Sequence, residues 1–207
     1  IVYGFGISQL KLVQDLGFKG NCIKTKGVGI FNIIDQPIYK PVENVTNFIY
    51  VGRLSPEKNL IYLIETFNNL PNLVLNIVGF GPQESTLKDI AGINIFFWGA
   101  ISNKELYNIY QTNHVLILPS ISEPWGMVVE EAFNNGIPVI VSDKVGCAEE
   151  IVISDTNGVI FSIEDRDGLK NAIIKMTDIN YYNNMRKNIS QMDFNKIADE
   201  QVKSYTK

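Results

Sequence analysis

The sequence holds few of the residues from which self-contained metal or redox chemistry is built. Among 207 residues there are one histidine, His114, and two cysteines, Cys22 and Cys147. That excludes a Cys/His zinc cage, a histidine-rich metal site and a disulfide scaffold. Two cysteines this far apart are expected to be free thiols, as in a reducing, cytoplasmic compartment. No apolar run approaches the roughly 20 residues of a membrane-spanning helix. Positive charge is also short: 18 Lys+Arg stand against 22 Asp+Glu, a net charge of −4. A chain whose main work is gripping nucleic-acid phosphates needs the opposite balance. Internal repeats and low-complexity segments are absent too.

What is present is a globular mixture with 45% apolar residues, enough for a substantial core. Residues 1–20 predict a short strand and a helix that starts near Ser8 and stops at Gly17, and Cys22–Thr25 predicts another strand. From Lys26 to Thr46 glycine, proline and asparagine interrupt any period, which is the composition of a linker or boundary. From Asn47 short apolar runs alternate with amphipathic stretches. The runs are Phe48–Val51, Leu73–Val78, Ile93–Trp98, Val115–Leu118, Val139–Val141 and Val159–Phe161. They are continuous rather than alternating, as strands buried on both faces are. The stretches between them predict helices, and two more polar helices are expected at about Tyr181–Gln191 and Asn195–Tyr205. This alternation implies an α/β fold, a Rossmann-like doubly wound parallel sheet of about six strands. Ligands of such sheets sit at the carboxyl ends of the strands.

Three strand ends stand out. The first run continues into Gly52-Arg53-Leu54-Ser55-Pro56-Glu57-Lys58. The chain has only three arginines, and here one follows a glycine with a lysine five residues on. A guanidinium and an ammonium together suit a diphosphate; a solvated loop with Lys58 paired to Glu57 or Glu65 is the plainer alternative. The second ends in Val78-Gly79-Phe80-Gly81-Pro82, a turn that resembles a phosphate-binding loop but lacks the third glycine of the dinucleotide fingerprint. The fourth leads to Glu123-Pro124-Trp125-Gly126-Met127-Val128-Val129-Glu130-Glu131-Ala132. Gly126 opens a helix whose first amides are free and carry the positive end of the dipole, so an anion fits there. Glu123 and Glu131 are placed to line one pocket from different sides. Adjacent helical residues point about 100° apart, so only one of Glu130 and Glu131 faces it.

Taken with Phe97-Trp98-Gly99, Leu118-Pro119-Ser120, Gly136-Ile137-Pro138-Val139-Ile140, Glu150-Ile151-Val152 and Asn157-Gly158-Val159, these strings resemble glycosyltransferase family 4 over about Asn47 to Met176. That resemblance implies the C-terminal half of a GT-B fold and a retaining sugar transfer that needs no metal or other cofactor. It implies that Arg53, Lys58 and Glu123 serve the reaction. Arg53 and Lys58 would hold the diphosphate of a nucleotide sugar, opposite the amides of Met127 and Val128, and Glu123 would face the donor sugar beside the backbone of Trp125 and Gly126. Glu131 would accept from the ribose hydroxyls and the nucleobase would lie near Phe96. Trp125 stands where phenylalanine is usual, with an expected effect on the sugar pocket. Cys147 stands where a second small residue is usual.

The domain expectation follows from the same resemblance. Residues 1–33 would be the tail of an acceptor-binding N-terminal domain, 34–46 a linker, and 47–207 the nucleotide-sugar-binding domain. The start at Ile1, inside an apolar stretch, adds the expectation that the acceptor domain is missing, so that this chain alone transfers no sugar. The partners expected are therefore a nucleotide sugar and that N-terminal acceptor domain, in the same chain or as a separate subunit. Asp165-Arg166-Asp167 spells a metal-binding pair but precedes an amphipathic helix, where aspartates cap. His114 opens a buried strand and is expected to pack.

Overall fold

A computed structural model describes residues 1–25, 29–30, 33–34, 37 and 39–205, residues 5–8 by their backbone. Much of the expected linker lies outside the described residues. The first segment forms β1 (Val2–Phe5), α1 (Gly6–Asp15) and β2 (Cys22–Thr25), with β1 and β2 paired in parallel as a sheet of their own.

The main body follows as β3 (Asn47–Val51), α2 (Leu60–Asn68), β4 (Val74–Val78), α3 (Glu84–Ile90), β5 (Ile95–Gly99), α4 (Asn103–Gln111) and β6 (Val115–Leu118). Next come α5 (Met127–Asn134), β7 (Val139–Ser142), α6 (Ala148–Ile151), β8 (Gly158–Phe161), α7 (Gly168–Met176), α8 (Ile179–Ile189) and α9 (Phe194–Ser204). The six strands lie in the order β5-β4-β3-β6-β7-β8, all parallel. Helices cover both faces, so β6 and β7 are buried at every residue, which is why their sequences are unbroken apolar runs. The order reverses between β3 and β6, and this switch point opens a crevice at the carboxyl ends.

The starts of β5, α8 and α9 differ from the sequence expectation for a local reason. β5 begins at Ile95 because the Asn94 side chain donates to the carbonyls of Phe67, Leu70 and Leu73, at 3.1, 3.2 and 2.7 Å, and holds a turn in which Ile93 is fully exposed. α8 and α9 each start about a residue or two early, because Asp178 and Asp193 accept from the amides of Tyr181 and Lys196, both at 2.9 Å.

His114 packs as expected. Its Nδ1 accepts from the amides of Thr46 and Asn47 at 3.2 and 3.0 Å, and its ring meets Tyr182 edge-on. Burial and the nearby Arg186 charge lower its pKa, so it stays neutral. Arg186 and Asn183 of α8 also fasten the chain before β3 by bonding the Lys40 carbonyl and both backbone groups of Val42. Among the described residues, no helix is long and apolar enough to cross a membrane.

Candidate donor-binding site

The site begins as two glycine turns pressed together. Gly52 and Leu54 donate to the carbonyls of Val78 and Phe80, both at 3.0 Å, and Gln83 donates back to Leu54. A Cβ on Gly79, whose φ is +133°, would stand 1.9 Å from the Gly52 carbonyl oxygen. Glycine is therefore required for the two turns to touch. Tyr50, buried at the end of β3, donates its phenol to the Arg53 carbonyl at 2.7 Å and pins the turn that presents Arg53. Burial, with the Glu123 and Glu57 charges, keeps that phenol protonated.

Across the switch point, Gly126 is the N-cap of α5 in a left-handed conformation (φ +96°), against Val145, Leu118 and Cys147. It offers no side chain to cap the helix, and Val128 of the first turn lines the crevice. Cys147 is buried beneath, its thiol held well above the usual range by burial and by the Glu130 and Glu123 charges; it packs and is not a thiolate.

One cavity of about 650 Å³ unites much of this. It is lined by Arg53, the Gly79–Pro82 turn, Val128 and Glu131, with Ala100 and Ile101 on the side of β5. Glu131 and Glu130 point apart as helical spacing requires. Glu131 faces the cavity and accepts from the phenol of Tyr110 at 3.4 Å. Burial raises its pKa, the Tyr110 bond opposes the rise, and the Glu130 charge adds to it. Glu130 is buried behind the helix and bonded to Trp125 and Gln201.

Four sequence expectations change in detail. Lys58 pairs with neither Glu57 nor Glu65 but with Glu123, and both side chains are largely buried. Glu57 instead accepts from Ser55 at 2.6 Å. Glu123 and Glu131 do not line one pocket: Glu123 faces a neighbouring cavity of about 370 Å³, between the loops after β6 and β7 and the helix α1. The Trp125 indole does not enter a sugar pocket. It is buried and turned toward Glu130, and Trp125 lines neither cavity. Phe96 does not line the cavity either. It is half-exposed in the body of the edge strand β5, three residues short of the strand end at Gly99, and Ala100 and Ile101 beyond that end line the cavity instead. Tyr50 and Tyr110 were not singled out from sequence; their hydroxyls bond the Arg53 carbonyl and the Glu131 carboxylate, pairings that no local pattern announces.

Asp165 and Asp167 lie beyond β8 at the far edge of the sheet, where Asp165 accepts from the Asp167 amide at 3.0 Å in a local turn. Among the described residues, no three of His, Cys, Asp or Glu gather to hold a metal.

The chain is 28% identical over 158 residues to sulfoquinovosyl transferase SQD2 of Arabidopsis thaliana, covering 76% of this chain and 30% of that protein. It is 32% identical over 157 residues to the UDP-Gal:alpha-D-GlcNAc-diphosphoundecaprenol alpha-1,3-galactosyltransferase of Escherichia coli, covering 68% of this chain and 39% of that protein. The chain thus spans well under half the length of either relative. Among solved structures, sucrose-phosphate synthase from Thermosynechococcus elongatus superposes with a TM-score of 0.75 at 23% identity, over 99% of this chain and 57% of the other. Anabaena HepE in complex with UDP and glucose superposes with a TM-score of 0.76 at 18% identity, over 100% of this chain and 62% of the other. These likenesses show a shared fold. Residues 34–192 match the model of the family described as glycosyl transferases group 1, and the chain belongs to that family.

Proposed function

We propose that this chain is the donor-binding half of a retaining, metal-independent glycosyltransferase of family 4, moving a sugar from a nucleoside diphosphate to an acceptor hydroxyl in polysaccharide or glycolipid synthesis. The observation that carries the reading is the shared cavity: Arg53, the uncapped start of α5 and the Glu131 carboxylate converge on one space at the switch point. A cation and helix amides suit a diphosphate, and a carboxylate one turn further along the helix suits the ribose hydroxyls.

The chemistry needs charge of this kind. When the anomeric carbon–oxygen bond to the diphosphate breaks, the electron pair leaves with the phosphate, and the acceptor oxygen bonds the same carbon while its proton passes to the departing phosphate oxygen. Arg53, Lys58 and the amides of Met127 and Val128 stabilise the departing phosphate without a metal ion. Lys58 reaches this role from its pair with Glu123, which sets the carboxylate at the sugar side of the phosphates. The base takes the Ala100–Ile101 side of the cavity.

The acceptor belongs to a further domain. The separate β1–β2 sheet, outside the six-stranded body, supports assigning residues 1–33 to that half. Orientation of an acceptor hydroxyl accounts for about 7–11 kcal/mol of such a barrier, and the donor half alone lacks it. Titration calorimetry with UDP and a panel of nucleotide sugars, in excess chelator, tests the reading. Binding without metal, and no multiple-turnover transfer to a mixed acceptor panel, is the expected result. Binding that requires magnesium or manganese overturns the metal-independent assignment. Efficient transfer by the 207 residues overturns the half-enzyme assignment.

A further inference from the structure

Glu130 has no part in the site as described, yet it is a carboxylate inside the core, 5% exposed, among Trp125 at 6% and Gln201 at 4%. A buried carboxylate is costly unless each oxygen has a donor. Here the donors come from two different parts of the chain. The Trp125 indole N–H donates to Oε1 at 2.8 Å, and the Gln201 amide donates to Oε2 at 2.7 Å. Trp125 belongs to the loop that carries Glu123 and Gly126. Gln201 belongs to α9, 71 residues beyond Glu130. Glu130 itself lies in the first turn of α5, two residues after Val128, the last of the proposed phosphate-binding amides.

The Glu123 end of the loop is held by the ion pair with Lys58. Its backbone is tied to the loop after β7, with Cys147 donating to the Trp125 carbonyl at 2.9 Å and Gly146 to the Glu123 carbonyl at 2.8 Å, and to α1, with Gln9 donating to the Pro124 carbonyl at 3.5 Å. α9, in turn, meets the first segment as well as the main body: Tyr205 at its end stacks on Tyr3 of β1, with ring centroids 5.8 Å apart.

We propose that Glu130 is a positioning residue that clamps the Glu123–Gly126 loop and the start of α5 to α9, so that the order of the donor-phosphate turn and the seating of α9 rise and fall together. The inference rests on the donor-binding reading for its consequence, but not for the clamp itself. Both variants below cut the clamp without touching the cavity lining. Gln201→Leu removes the amide from the α9 side. Trp125→Phe removes only the indole N–H donor from the loop side and keeps an aromatic ring.

Hydrogen exchange of the ligand-free chain tests the clamp. Gln201→Leu should speed exchange by about fivefold or more in segments 123–130 and 145–148, and Trp125→Phe should do so in α9, because coupling between two elements is reciprocal. The β3 and β4 amides serve as the internal control and should stay at parental rates. Either variant loosening only its own element, or loosening the whole sheet uniformly, overturns the clamp. UDP titration of the same proteins tests the consequence: affinity should fall by about fivefold in Gln201→Leu, although residue 201 lies outside the cavity. Parental UDP affinity with a loosened loop overturns the link to the donor site. If the parent itself binds no UDP, the donor reading fails while the exchange result still decides the clamp.

Discussion

The two sheets of this chain treat apolar residues in opposite ways. In the six-stranded sheet the central strands are buried on both faces, and Ile117, Val139 and Ile140 have no exposure at all. In the β1-α1-β2 segment Leu12 and Leu16 are 58% and 78% exposed. Both regions are strand–helix–strand in parallel pairing, so secondary structure is not the difference. The main sheet carries helices on both faces. The small one leans on the body through sparse contacts: Lys24 pairs with Glu150 at 3.1 Å, and Tyr3 meets Tyr205. A βαβ unit buries its strands only when further units cover it, and two strands are too few.

Mutations on the two sides sharpen this contrast. The largest effect belongs to the central sheet: Ile117→Ala should cost about 2–5 kcal/mol, the usual range for an aliphatic residue emptied from a packed core, measured by urea unfolding. A loss below about 1 kcal/mol would place β6 outside the cooperative core.

At the strand ends the same sheet trades stability for binding. Arg53→Ala should weaken UDP binding by about 1.5–3 kcal/mol, the worth of a charge-assisted hydrogen bond, while the unfolding midpoint stays near the parent. Unchanged affinity with a lowered midpoint would make Arg53 structural. Glu131→Ala should weaken UDP in the same range, whereas Glu123→Ala should act chiefly on the intact sugar nucleotide, since Glu123 faces the neighbouring cavity. Equal losses for UDP and UDP-sugar in Glu123→Ala would remove that distinction.

A subtler difference lies in pH. Burial raises the pKa of Glu130, and its bonds to Gln201 and Trp125 oppose the rise only in part. The folded chain therefore keeps this proton above the pH at which the unfolded chain loses it. That contribution to stability is full below the ordinary glutamate value of about 4.3 and is lost as pH rises through the folded value. Asp155, lowered by Lys175 and Tyr181, acts in the opposite sense, adding stability that is lost as pH falls below the ordinary aspartate range. Glu130→Gln should flatten the decline between pH 4.5 and 7, roughly the window above an unperturbed glutamate, in thermal melts taken across that range. A slope equal to the parent's would assign the decline to Glu131, whose pKa is raised as well.

The smallest effect is expected in the first segment. Leu12→Ser should change stability by no more than about 0.5 kcal/mol, as exposed substitutions do. A larger loss would mean that α1 is packed in solution against something that covers Leu12.

Strand–helix alternation and unbroken apolar runs were enough to read the parallel sheet, because burial on both faces writes itself into every strand residue. Gly52-Arg53, Gly79-x-Gly81-Pro82 and the string from Glu123 to Glu131 marked the crevice, because short turns at strand ends demand particular residues at particular spacing. Helical geometry also separated Glu130 from Glu131 without coordinates. Pairings between distant residues could not be read that way. That Lys58 would choose Glu123 over the nearer Glu57, that Phe96 would stop short of the cavity, and that Trp125 would turn inward to a carboxylate shared with Gln201 depend on where the strand ends and α9 meet in space. Local propensity and period are properties of neighbouring residues and are present in the sequence. The partner of a polar side chain is set by which donor and acceptor the packed core brings within about 3 Å, and only the tertiary structure decides that.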